Sequence, residues 1–234
     1  MPFSWRAKRQ LTFLGIFAVV VILVLTTLIF AFRSPKPQAP PPLGTPQNLI
    51  IFWTRFFQIA PGHWEVASFI ENPNLLLGTD RLIYRLRLYD QNNILLALRE
   101  GETFANPREK FLIYEPDLET FQRLPARATI EFSDISWKRI EKERPQLLVA
   151  RKNFENVPLG RLRAVIQNQS LFQVKDIYFA AILTDKDANA LGVSLARADQ
   201  ILGEGEYQVV FTWRQAFDPP PETIEVLART NLTE

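Results

Sequence analysis

From Leu82 to Leu88 an apolar residue falls on every second position, with Arg85 and Arg87 between, and the run stops at Asp90. A period of two predicts a strand with one buried face, which leaves Arg81, Arg85 and Arg87 toward solvent. Shifted by 95 positions, the pattern returns as Ile177, Phe179, Ala181, Leu183 and Asp185. A shift of 96 lays Val66, Ser68, Ile70 and Asn72 over Leu162, Ala164, Ile166 and Asn168. Further on, Leu112 and Tyr114 match Val209 and Phe211, and ATIEF at 128–132 resembles ETIEV at 222–226. The order of the matches is preserved along both stretches.

Short strands separated by turn-rich segments, with no helical stripe after residue 48, predict an all-β body. Each copy is about 90 residues long, enough for seven short strands in two facing sheets. The expected fold is two tandem immunoglobulin-like β-sandwiches, residues 48–140 and 146–234, joined through the charged run KRIEKERPQ at 138–146. A single larger sandwich is the alternative arrangement.

Ahead of the repeats the pattern changes. Residues 11–32, LTFLGIFAVVVILVLTTLIFAF, carry no charge, and as a helix they would extend about 33 Å, the thickness of a bilayer core. The run is longer than the apolar core of a cleaved signal peptide and ends Ala31-Phe32-Arg33. It is therefore expected to be one uncleaved transmembrane helix after a short tail, 1–10. Arg6, Lys8 and Arg9 precede it and Arg33 and Lys36 follow it, which favours a cytoplasmic N-terminus and an exported remainder. The Pro-rich stretch 33–47 reads as a semi-rigid polyproline II stalk of about 40 Å.

Composition narrows the chemistry. Of 27 basic residues, those at 6, 8, 9 and 33 flank the apolar run, and none of the 25 acids does, which leaves 23 against 25 from position 34 onward. That balance argues against a nucleic-acid partner. With no cysteine and one histidine, thiol nucleophiles, disulfides and zinc–thiolate sites are excluded. No catalytic, cofactor or metal residues are assigned. Asp185, Asp187 and Asn189 have calcium-loop spacing, but Ala190 and Ala196 stand where such a loop needs glycine and glutamate. Asp90 and Asp185 are better read as hairpin-turn residues bonding nearby backbone N–H groups. His63, after Pro61-Gly62, reads as a surface or interface residue. Two acceptor patterns for glycosylation, at Asn168 and Asn231, read as unused.

The strand ending Leu86-Arg87-Leu88-Tyr89-Asp90, preceded by Glu71-Asn72-Pro73, resembles the FxLYD domain of bacterial envelope proteins; the second copy has Asn168 and Ala181-Ile182-Leu183-Thr184-Asp185. Leucine replaces the family's phenylalanine in the first copy, and alanine and threonine depart from it in the second. The resemblance implies an extracytoplasmic immunoglobulin-like module and supplies no catalytic residues.

An aromatic run, Ile51-Phe52-Trp53-Thr54-Arg55-Phe56-Phe57, completes the candidates. As a strand it would turn Phe52, Thr54 and Phe56 to one side and Trp53, Arg55 and Phe57 to the other. One side belongs in a core. The other is expected to meet the second domain, a partner or the membrane surface, so Phe52, Trp53, Phe56, Phe57 and Trp64 are the candidate interaction surface. The function expected is a membrane-anchored extracytoplasmic protein, held in the bilayer through residues 11–32, that contacts an envelope protein partner. An exported cell-wall hydrolase using acidic residues and a small-molecule or lipid-binding module are the alternatives.

Overall fold

The computed structural model describes residues 5–31 and 44–233, with side chains from 13 to 28 and from 44 onward. It forms two units, Met1–Pro42 and Leu43–Glu234. In the first, helix α1 spans Trp5–Ala31. It starts earlier than the expected boundary at residue 11, because Arg, Ala, Lys and Gln are good helix formers and nothing in that stretch interrupts a helix. Thr26 and Thr27 donate their hydroxyls back to carbonyls of the preceding turn, among them Ile22 O and Leu23 O at 2.9 Å. Among the described residues, no helix is long and apolar enough to cross a membrane. The stretch read as a stalk lies outside the described residues as far as position 43, as do positions 1–4 of the expected tail.

The described residues of the second unit form strands joined by turns and loops. Its first half contains β1 (Ile50–Ala60), β2 (His63–Asn72), β3 (Leu77–Tyr89), β4 (Leu95–Ala105), β5 (Glu109–Glu119), β6 (Arg127–Phe132) and the two-residue β7 (Lys138–Arg139). They form one antiparallel sheet in the order β1-β2-β5 and another in the order β4-β3-β6, with β7 beside the start of β3. Leu82, Tyr84, Leu86 and Leu88 point between the sheets onto Val66, Ile70, Phe111 and Ile113. The charges between them pair across the outer face, Arg81 with Glu102, Arg85 with Glu100 and Arg87 with Glu131, as the alternation requires.

The second half repeats that connectivity. It has β8 (Leu147–Glu155), β9 (Arg161–Asn168), β10 (Val174–Thr184), β11 (Ala190–Ile201), β12 (Glu206–Thr212) and β13 (Thr223–Arg229). Their sheets run β8-β9-β12 and β11-β10-β13, so each strand takes the place of the one seven earlier. Leu162, Ile166, Ile177, Phe179 and Phe211 fill the core.

Hydrogen-bond register corrects two of the sequence matches. Ser68 pairs with Ile113, and its counterpart Ala164 pairs with Val209. Val209 therefore corresponds to Ile113, not to Leu112. A one-residue slip in a strand exchanges its faces, and Leu112 accordingly lies outside the core that receives Ile113. In the last strand, Leu86 pairs with Ile130 and its counterpart Ala181 pairs with Val226, not Ile224. That match was off by two, which preserves the face and conceals the error.

Outer faces join the halves. Ala67 and Leu112 on the β1-β2-β5 sheet meet Ala180, Ile182 and Val193 on the β11-β10-β13 sheet, with Trp53, Phe57, Phe69, Tyr114 and Leu227 packed around them. Where β3 has Arg85 and Arg87, β10 has Ala180 and Ile182. This substitution of apolar for charged residues converts one outer face into a docking face.

Candidate functional site: the seam and the two ends

The five aromatic residues expected to form a surface do not share one. Trp64 is buried and donates Nε1–H to Thr120 Oγ1 at 3.0 Å, and Phe56 packs edge-on to it inside the first core. Trp53 and Phe57 lie in the seam. Phe52 stays exposed at 45%. The simple alternation fails at Phe52 because the register slips between Ile51 and Trp53. This bulge takes Phe52 out of line with Thr54 and Phe56 and lays its ring against Phe69, with Lys110 Nζ 5.0 Å from its centroid.

Sequence reasoning missed the polar centre of the seam. Arg229, at the end of β13, reaches Glu109 at 3.0 Å and Phe104 O at 2.5 Å, with its guanidinium 3.9 Å from the Phe104 ring centroid. Burial pulls the Arg229 pKa down and the Glu109 charge opposes that shift. Asn106 holds both Glu109 oxygens, through its backbone N–H at 3.0 Å and its amide at 2.9 Å. The same Asn106 donates to Thr230 O and accepts from Leu232 N–H. No local signal marks Arg229, because its partners lie in the other half.

Beside this centre is a cavity of about 480 Å³ lined by Tyr84, Phe104, Tyr178, Leu195, Leu227 and Arg229, among others. A polar cleft adjoins it, in which Asp80, Glu102 and Asp176 are each ion-paired, to Lys138, Arg81 and Arg197. A third cavity, of about 510 Å³, contains Glu65, whose pKa burial raises against the hydrogen bond from Tyr114 and the charge of Arg214. Tyr114 Oη donates to Glu65 Oε2 at 2.8 Å, and burial with that carboxylate raises the tyrosine's own pKa. Among the described residues, no group of three or more His, Asp or Glu side chains is placed to hold a metal ion.

Asp90 and Asp185 build identical turns. Asp90 Oδ1 accepts from the backbone N–H groups of Asn92 and Ile94, and Asp185 Oδ1 from those of Asp187 and Asn189. Asn93 and Ala188 take the left-handed conformation at the matching position, φ 59° and 60°. Asn189 Oδ1 accepts from Arg55 at 2.7 Å, so two residues of the calcium-like spacing serve the turn and the seam. His63 Nδ1 lies 2.7 Å from Asp117 at the surface.

The body has two distinct ends. Gln47, where the chain reaches the sheets, exchanges hydrogen bonds with Asn74, and Asn74 bonds Asn72. Asn72 Nδ2 donates to Asn106 O, Asn106 to Thr230 O, and Thr230 Oγ1 to Lys175 O. This relay brings the β2–β3 loop of one half and the start of β10 in the other to one end, called proximal here. The antiparallel order then sends the β5–β6 loop, with Phe121 and Leu124 exposed at 74% and 70%, and the β8–β9 loop, with Val157 at 78%, to the distal end.

No model of a known protein family matches the chain, and no curated protein matches it. Among solved structures it is similar to red sea bream transglutaminase, at 10% identity and a TM-score of 0.25, over 78% of this chain and 31% of that one. The chain thus spans under a third of the transglutaminase's length, and at that TM-score the likeness carries no argument.

Proposed function

We infer that this is a membrane-anchored extracytoplasmic contact protein, whose rigid pair of immunoglobulin-like sandwiches presents its distal loops to another envelope protein. The uncharged run 11–32 supports the anchor, and the cations before it support a cytoplasmic N-terminus. The shared sheet orders, β1-β2-β5 facing β4-β3-β6 and the same arrangement seven strands later, support two copies of one sandwich. They also favour the FxLYD resemblance, since Asn72 and Asn168 hold the same pair of loops.

The observation that carries the reading is the exposure of Phe121, Leu124 and Val157 on distal loops of a body whose halves are locked together. Large apolar side chains exposed on loops, away from the chain's own packing, are the usual anchors of a protein contact. The test is photo-crosslinking in the native cell from positions 121 and 157, with position 129 on the charged outer face as control. Adducts of one shared mass from 121 and 157, absent from 129, are expected. Adducts from neither distal position would overturn the reading.

A second reading has its own observation. The seam cavity of about 480 Å³ falls within the range of small-molecule sites, which favours a carrier of a compact apolar ligand. Native mass spectrometry of protein from its own host would then show a bound small molecule, released by Leu227→Trp.

A further inference from the structure

We propose that the seam cavity takes a compact organic acid, with its carboxylate on Arg229 and its apolar body against Leu195 and Leu227. The proposal rests on the carrier reading of that cavity, and its test separates the two.

The reason lies in an unfinished set of hydrogen bonds. A guanidinium carries five N–H donors and no acceptor. The Arg229 side chain is only 10% exposed, and among the described residues its acceptors are Phe104 O and Glu109, both reached from Nη2. Its Nε–H is buried without an acceptor. The ring centroids of Phe104 and Phe111 lie 3.9 and 4.6 Å from the guanidinium carbon. Those rings stabilise the charge but offer no oxygen to the donors. Buried donors left without acceptors are costly, so a ligand oxygen that meets this guanidinium from the cavity gains more than one at the surface.

Position decides which end of the ion pair a ligand meets. Arg229 lines the cavity and Glu109 does not. Both Glu109 oxygens are already held, by Asn106 and by Arg229. A ligand therefore faces the donor side of the pair. The other charged residues on the wall, Arg197 and Glu102, sit in exposed pairs with Asp176 and Arg81, as Asp80 does with Lys138 in the adjoining cleft. Solvent screens pairs of that kind. The direction of the hydrogen bond, rather than net charge, makes the selection: a carboxylate only accepts, whereas an ammonium only donates and leaves Arg229 as it was.

Access and shape fit such a ligand. The cavity shares Glu102, Thr103, Phe104, Tyr178 and Arg197 with the polar cleft, and Tyr178 and Leu195 are 40% and 46% exposed. These residues give a path from solvent to Arg229. Beyond it, Phe104, Leu195 and Leu227 supply apolar wall for the body of the acid.

The test is titration calorimetry on the full-length chain in phosphatidylcholine nanodiscs, with empty nanodiscs subtracted. The two probes share one ring system: naphthalene-2-carboxylate and naphthalen-2-ylmethylammonium. The carboxylate should bind about tenfold more tightly, the worth of one hydrogen bond to a charged group. Leu227→Trp, which fills the cavity, should abolish binding of both. In Arg229→Met/Glu109→Gln, with strand signal retained, the preference for the carboxylate should disappear. Should that variant lose strand signal, Arg229→Lys carries the test, because it keeps a cation for Glu109 and removes the planar donors; the preference should shrink there too. Equal binding of the two probes, a preference for the ammonium, or a preference unchanged by these Arg229 substitutions overturns the acid site while leaving the carrier reading intact. Binding of neither probe overturns both.

Discussion

Arg229 and Glu109 form an ion pair at 3.0 Å with side chains only 10% and 5% exposed, one from each half of the body. Removing one member strands the other's charge in a desolvated seam, which costs about 3–5 kcal/mol; removing both leaves neither charge unpaired. Arg229→Met and Glu109→Gln should each lower the unfolding free energy by that order. The double variant should lose clearly less than the sum, with the coupling read from a denaturation double-mutant cycle. Additive losses would mean that the two residues act independently.

Asn72 and Asn168 are fully buried and each ties two loops of its own half. Replacement by alanine leaves buried carbonyls without donors, at about 1–3 kcal/mol per site. The losses should be local: faster hydrogen exchange at 73–78 and 105–108 in Asn72→Ala, and at 170–174 and 201–204 in Asn168→Ala. Exchange rising equally in both halves from either variant would contradict the assignment.

Much of this was legible in the sequence. The alternation through Leu82–Leu88 and Ile177–Leu183 marks the core faces, and the aspartates that end each run mark the turns, because both are effects of neighbours in the chain. What was not legible depends on partners distant in sequence. The bulge at Phe52 is set by its pairing with β2, and the correct match for Val209 emerges only from cross-strand register. The seam was half-visible: Ala180 and Ile182 stand where the first copy has arginines. That Arg229 becomes its polar centre follows from Glu109 and Asn106, which no spacing rule connects to it.

Glu65 gives the seam a pH dependence of known sign. Its pKa is raised in the folded protein by burial, so the unfolded chain loses this proton first as pH rises. Stability from this group is therefore highest below the ordinary glutamate range. It falls as pH climbs from there through the raised value, and is flat beyond. Glu65→Gln should remove that slope across mildly acidic pH, as measured by melting temperature against pH relative to the unsubstituted protein. A steeper slope in the variant would reverse the assignment.

The docking of the halves turns on two positions in β10. Ala180 and Ile182 are 7% and 2% exposed in the seam, whereas Arg85 and Arg87 occupy the equivalent outer face of β3 with acidic partners across the strand. Ala180→Arg with Ile182→Arg places two cations against Ala67, Leu112 and Trp53, where Glu225, opposite Ile182 on β13, can receive one of them and Ala180 is flanked by Leu195 and Leu227. Each half keeps its own core, because Leu162, Phe179 and Phe211 face the other way. The double variant should therefore retain strand content while its halves separate. Small-angle scattering should show a larger radius of gyration, and protease should cut within 140–146 more rapidly. Loss of strand signal together with the seam would instead show that neither half folds without the other.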